Sequence, residues 1–137
     1  MGTWLLVSWE TIYSDARTIF PMGEDAQGIL IYSVDGYMSA TLFRAARPQF
    51  TSGEMLTAED AEKCAAWNSY FSYAGAYEWV GEELVHHVSV SMYPNWVDEK
   101  QRRKVSMSGG RLVLETPPQR TRRGLQHSRV IWRKARD

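Results

Sequence analysis

Residues 28–43 read GILIYSVDGYMSATLF, two runs of alternating residues on either side of Asp35-Gly36. Residues 28–34 and 37–43 have the β-branched and aromatic content of strands, and Asp-Gly accepts the positive φ angles of a two-residue hairpin turn. The fold therefore starts from an antiparallel hairpin.

The same period of two returns in both directions. Upstream, residues 2–13 read as a strand broken by Ser14-Asp15, and residues 18–20 as a short extended piece stopped at Pro21. Downstream, residues 44–56 form a loop. Thr57-Ala58-Glu59-Asp60 then offers an N-cap hydroxyl and first-turn carboxylates, which suit the positive end of a helix dipole. A helix is expected over about 58–70, with the stripe Ala61, Cys64, Ala65, Trp67 and Phe71 packed against a sheet. Further strands are expected at 73–80, 84–93, 101–107, 111–116 and 128–135. Their links are Gly81-Glu82, Pro94-Asn95-Trp96, Gly109-Gly110 and a longer loop carrying Pro117-Pro118. Eight or nine short strands with one short helix make an all-β chain. A closed antiparallel up-and-down barrel satisfies it without bare edges, and a two-layer sandwich is the alternative.

With 137 residues, 44% of them hydrophobic, the chain is expected to form one domain with a core that needs neither disulfide nor metal. That apolar fraction excludes disorder. No apolar run approaches the ~20 residues of a membrane helix, and MGTWLLV carries no cationic leader, so no membrane role is expected. The lone Cys64 permits no internal disulfide and fits a cytoplasmic location. The zero net charge hides an asymmetry: residues 1–99 hold 14 acidic and 4 basic side chains, residues 100–137 hold 2 and 12. A basic tail can be a nucleic-acid footprint. Here the cations alternate with apolar residues and are expected to lie beside acidic strands of one closed sheet, so no nucleic-acid partner is expected.

Gly2-Thr3-Trp4 at the head of the first strand and Trp132-Arg133 on the last resemble the signature of lipocalin-type barrels, where a Trp plugs the closed end beneath an Arg. Trp-x-Leu-Val-Ser at 4–8, Pro21-Met22-Gly23, Asp35-Gly36-Tyr37-Met38-Ser39, Tyr73-Ala74-Gly75-x-Tyr77, His86-His87-Val88 and Pro94-Asn95-Trp96 follow in order. Together they resemble the short lipocalin-like domain family of bacteria and fungi across nearly the whole chain. Asp98 and Arg102 depart from the expected glycine and apolar residue. The resemblance implies a small lipocalin-like barrel with an internal cavity, and it implies a contact between Trp4 and Arg133. It implies no particular reaction.

Strand parity places His86 inside and His87 outside, with Leu84, Val88, Val90 and Met92 on the inner face. Such neighbours cannot share a metal, and His127 stands apart, so neither metal nor cofactor is expected. A hydrogen-bonded structural role for His86 is as good a reading as a functional one. Tyr73, Gly75, Tyr77 and Trp79 share one parity, and Tyr32 follows Leu30 and Val34; these rings suit a cavity and an ordinary core equally. Following Val105 and Met107 inward takes Arg103 with them. On the first strand the motif points Trp4, Leu6, Ser8 and Glu10 inward, whereas periodicity would choose Leu5, Val7 and Trp9. Following the motif, Glu10 and Arg103 should meet inside the barrel, since a buried guanidinium needs a partner. The other open reading puts both charges at the mouth in water.

Two functions fit these residues. One is a binding module holding a small apolar or aromatic molecule among Tyr32, Tyr73, Tyr77, His86, Met92, Trp96 and Arg103. The alternative is a cofactor-independent isomerase or cyclase in the same cavity. There Glu10 or His86 would move a proton, Tyr77 would donate a hydrogen bond and Arg103 would stabilise negative charge. A homodimer through an exposed Trp and Leu face is compatible with either.

Overall fold

The computed structural model describes residues 1–136. Its strands are β1 (Gly2–Tyr13), β2 (Thr18–Ile19), β3 (Gln27–Tyr32), β4 (Tyr37–Phe43), β5 (Tyr70–Val80), β6 (Glu83–Ser91), β7 (Lys100–Ser108), β8 (Arg111–Glu115), β9 (Gln119–Thr121) and β10 (Gly124–Lys134). One helix, α1 (Asp60–Asn68), precedes β5, and a 3-10 turn (Pro94–Trp96) precedes β7. Strands β1, β3 to β8 and β10 pair antiparallel in succession, and β1 pairs with β10 to close an eight-stranded barrel. The short strands β2 and β9 are appended to β1 and β10. Closure rules out the sandwich, because each barrel strand has a partner on both sides.

The decisive hairpin forms, with a longer turn than expected. Residues 33–36 connect β3 to β4, with Gly36 N–H donating to the Ser33 carbonyl at 3.3 Å. The Ser33 hydroxyl donates to Asp35. Only Gly36 takes a positive φ, +93°. This is a four-residue loop built around a tight turn, in which Asp35 serves as acceptor and needs no left-handed backbone.

On β1 the motif and the periodicity are each right for half the strand. Leu6 lies opposite Trp132 and Ser8 opposite Ile131, so Val7 is an extra residue in the ladder, a β-bulge. Before it, Trp4 is buried and Leu6 packs against the core; after it, Trp9 packs against the core and Thr11 and Tyr13 are buried. Trp9 is therefore inside, contrary to expectation, and Glu10 is outside. A second bulge lies on β6, where Ala74 pairs with Val90 and Gly75 with Val88, leaving Ser89 over. Leu84, His86 and Val88 are buried ahead of it, while Val90 beyond it is 64% exposed. At this crossing the backbones come so close that a Cβ on residue 75 would overlap the carbonyl oxygen of His87. Only glycine fits.

Trp4 and Trp132 belong to the core cluster at the closed end. The cation over Trp4 is Lys134, with Nζ 5.7 Å from the ring centroid, not Arg133. Arg133 is exposed and sits opposite Leu5, because Lys134 is the residue in register with Trp4. The helix also departs from expectation. It starts after Glu59 instead of Thr57, and no residue of it is buried. Ala61, Cys64, Ala65 and Trp67 are exposed. Glu62 instead ties it down, accepting the backbone N–H groups of Thr51 and Ser52 at 2.9 and 2.8 Å. Phe71 is the second residue of β5, and it packs against the barrel core.

Candidate functional site

A cavity of about 460 Å³ lies inside the barrel. Leu30, Ala40, Leu42 and Leu114 give it apolar wall; Trp9, Phe71, Tyr73 and Trp96 give it aromatic wall. Phe71 and Trp96 meet edge to face at 5.0 Å, and Tyr73 meets Trp96 at 5.2 Å. Gln101, Pro117, Pro118, Gln126 and His127 also border the cavity, at strand ends opposite Trp4. This end is the mouth.

His86 is 1% exposed, and both of its ring nitrogens are occupied. Nε2 lies 2.7 Å from the Tyr32 hydroxyl and Nδ1 lies 2.8 Å from the Tyr73 hydroxyl. Burial, helped by the charge of Arg103, pushes the imidazole pKa down to about 3. The ring is neutral, so one nitrogen donates and the other accepts. Among the described residues, the buried Tyr32 hydroxyl bonds to His86 and to nothing else. Its proton therefore goes to Nε2, because the reverse arrangement would orphan a buried O–H. His86 then carries its proton on Nδ1 and donates it to Tyr73, leaving the Tyr73 proton free on the side that lines the cavity. Burial raises the pKa of Tyr32 well above its usual value, with the neighbouring Tyr73 adding to the rise. Burial also raises Tyr73, against the pull of the adjacent Arg103 guanidinium. Both tyrosines stay protonated.

Arg103 lines this cavity with 8% exposure. Its Nη1 donates to the carbonyl of Arg102 at 2.8 Å, and among the described residues no carboxylate is in ion-pair reach. The expected contact with Glu10 is not formed. Glu10 lies on the outer face, with Oε1 3.6 Å from Arg129 Nη1, because the Val7 bulge turns it outward. Tyr77 stands behind Tyr32, edge on at 4.8 Å, and donates to the Ser33 carbonyl at 2.9 Å; it does not border the cavity. Met92 does not border it either, since the β6 bulge gives it the outward parity of Val90. Tyr32, Tyr73, His86, Trp96 and Arg103 are thus brought together, with Tyr32 reaching the cavity through His86. Trp9, Phe71 and Trp132 were missed as lining residues. Extending the parity of Tyr73 back by one step would have found Phe71; nothing in the local pattern announces the bulge that turns Trp9 inward.

A closed barrel of eight antiparallel strands, plugged by tryptophan at one end and hollow toward the other, defines the lipocalin class of architecture. The chain belongs to the lipocalin-like domain family, whose model matches residues 1–135. It is 33% identical over 106 residues to the 4'-hydroxy-3'-methoxypropiophenone carrier protein ppsC of Aspergillus oryzae (strain ATCC 42149 / RIB 40), covering 71% of this chain and 96% of the relative. Two solved structures are similar in shape. A lipocalin-like protein from Bacteroides uniformis ATCC 8492 is 18% identical, with a TM-score of 0.48 over 97% of this chain and 96% of its own. A protein from Bacteroides eggerthii DSM 20697 is 16% identical, with a TM-score of 0.46 over 98% of each chain.

Proposed function

We propose that the barrel binds and carries a small aromatic molecule bearing an oxygen acceptor. The observation that carries this reading is the cavity: about 460 Å³, walled by aromatic rings and furnished with a few buried polar groups, a composition typical of small-molecule sites. The relative's name points the same way, since it is a carrier of an aryl ketone. Supporting carriage over turnover is the protonation chemistry. His86, held neutral with a pKa near 3 and bonded at both nitrogens, is a poor proton acceptor, and Glu10 is outside the barrel.

Because Trp9, Trp96 and Trp132 line the cavity, ligand entry should change tryptophan emission. Titration with 4'-hydroxy-3'-methoxypropiophenone is expected to give saturable quenching. Ala40→Phe, which puts a ring into the space, should abolish it while leaving a folded barrel by circular dichroism. Saturation that is identical in the folded variant would place the ligand elsewhere and overturn the reading.

A further inference from the structure

We infer that the cavity takes its ligand as an anion: a small aromatic with an ionised oxygen, either a carboxylate or an acidic acylphenol, paired with Arg103. This rests on the binding role proposed above and adds the ligand's charge to it.

Three observations converge. The first is the guanidinium itself, buried on the cavity wall beside the Tyr73 hydroxyl, with Nη1 donating to the Arg102 backbone carbonyl and no carboxylate in ion-pair reach among the described residues. A buried cation without a counter-ion carries a desolvation cost of several kcal/mol, which an anion entering the cavity would offset. The second is Trp132. Its residue also lines the cavity, and its buried indole N–H has no partner among the described residues. The third is the direction of the hydrogen-bond chain Tyr32–His86–Tyr73, which leaves a Tyr73 proton to give. The polar residues among the buried lining are Tyr73, His86, Arg103 and Trp132. What they have left to offer is N–H and O–H. A set of donors beside a fixed positive charge selects an acceptor that is itself charged, because charge-assisted hydrogen bonds are shorter and stronger than neutral ones. A para-acylphenol qualifies, since its ring passes the phenolate charge to the ketone oxygen as a carboxylate does between its two oxygens.

Two pairs of probes separate charge from shape. The first is 4'-hydroxy-3'-methoxypropiophenone against its O-methyl ether, which cannot ionise, at mildly alkaline pH. The second is cinnamate against cinnamamide, which differ in charge and hardly in size. In each pair the chargeable member should bind at least roughly tenfold tighter to the wild-type protein, the ratio typical of a hydrogen bond to a charged group. The phenol should show its phenolate absorption band on binding. A preference confined to one pair would identify that oxygen acid as the ligand type. Arg103→Gln should erase the difference between the two members of each pair, and Arg103→Lys should restore part of it. If both neutral twins bind the wild type as tightly as their charged partners, the anion inference falls and the binding role stands. If no probe of either pair binds, both fall.

Discussion

His86 shows how far burial can change a residue's chemistry. In an unfolded chain it takes up a proton near pH 6.5, whereas inside the barrel it stays neutral down to about pH 3. Between those values the unfolded state binds more protons, so the contribution of His86 to stability is complete above about pH 6.5 and is lost as the pH falls toward 3. The slope for a single such group is at most about 1.4 kcal/mol per pH unit. His86→Gln keeps a donor and an acceptor for the two tyrosines but cannot titrate. Melting temperatures measured from pH 7 to pH 4 should therefore fall more steeply in the wild type than in this variant. Parallel curves would mean that His86 is protonated within the fold, and the assigned chain of donors would be wrong.

At the scale of elements, the two bulges decide which side chains reach the cavity. The β6 bulge depends on Gly75, where a methyl group would collide with the His87 carbonyl. Gly75→Ala is expected to cost about 3 kcal/mol, the upper end of ordinary overpacking, and the urea unfolding midpoint would report it. A change within experimental error would mean that the strands are not so close there. These bulges also mark where the sequence stops being legible. The hairpin, the inward Arg103 and the inward parity of Tyr32, Tyr73 and His86 follow from period-two alternation and a few turn residues, whereas alternation leaves a sandwich open and the closed barrel is what the family resemblance implies. Alternation carries across a strand only while the ladder is regular, however, and one extra residue at Val7 or Ser89 exchanges the faces. Glu10 and Met92 were misplaced for that reason. The helix misled differently. Its apolar residues recur at helical spacing, but Glu62 holds it through the backbone of residues 51 and 52 and no strand comes to cover the stripe.

Seen whole, the barrel brings an acidic stretch and a basic stretch of chain together along two seams. Strands β1 to β6 come from the acidic part and β7 to β10 from the basic part, so closure places them side by side at β6–β7 and β10–β1. Lys104 lies in register with Glu83 at the first seam, and Glu10 with Arg129 at the second. Such exposed pairs are worth little individually, about 0–1 kcal/mol, but their arrangement accounts for the split charge as a property of the sheet. Arg103 is the buried cation outside this scheme: among the described residues no carboxylate is in ion-pair reach of it, and it lines the cavity. A crystal structure of the protein with 4'-hydroxy-3'-methoxypropiophenone tests that account most directly. The predicted result is an aromatic ring lodged among Trp9, Phe71 and Trp96, with one ligand oxygen in hydrogen-bond reach of Arg103 and Tyr73. Density instead on the outer wall beside Glu83, Lys104 and Glu115, with the barrel interior filled by water alone, would contradict it.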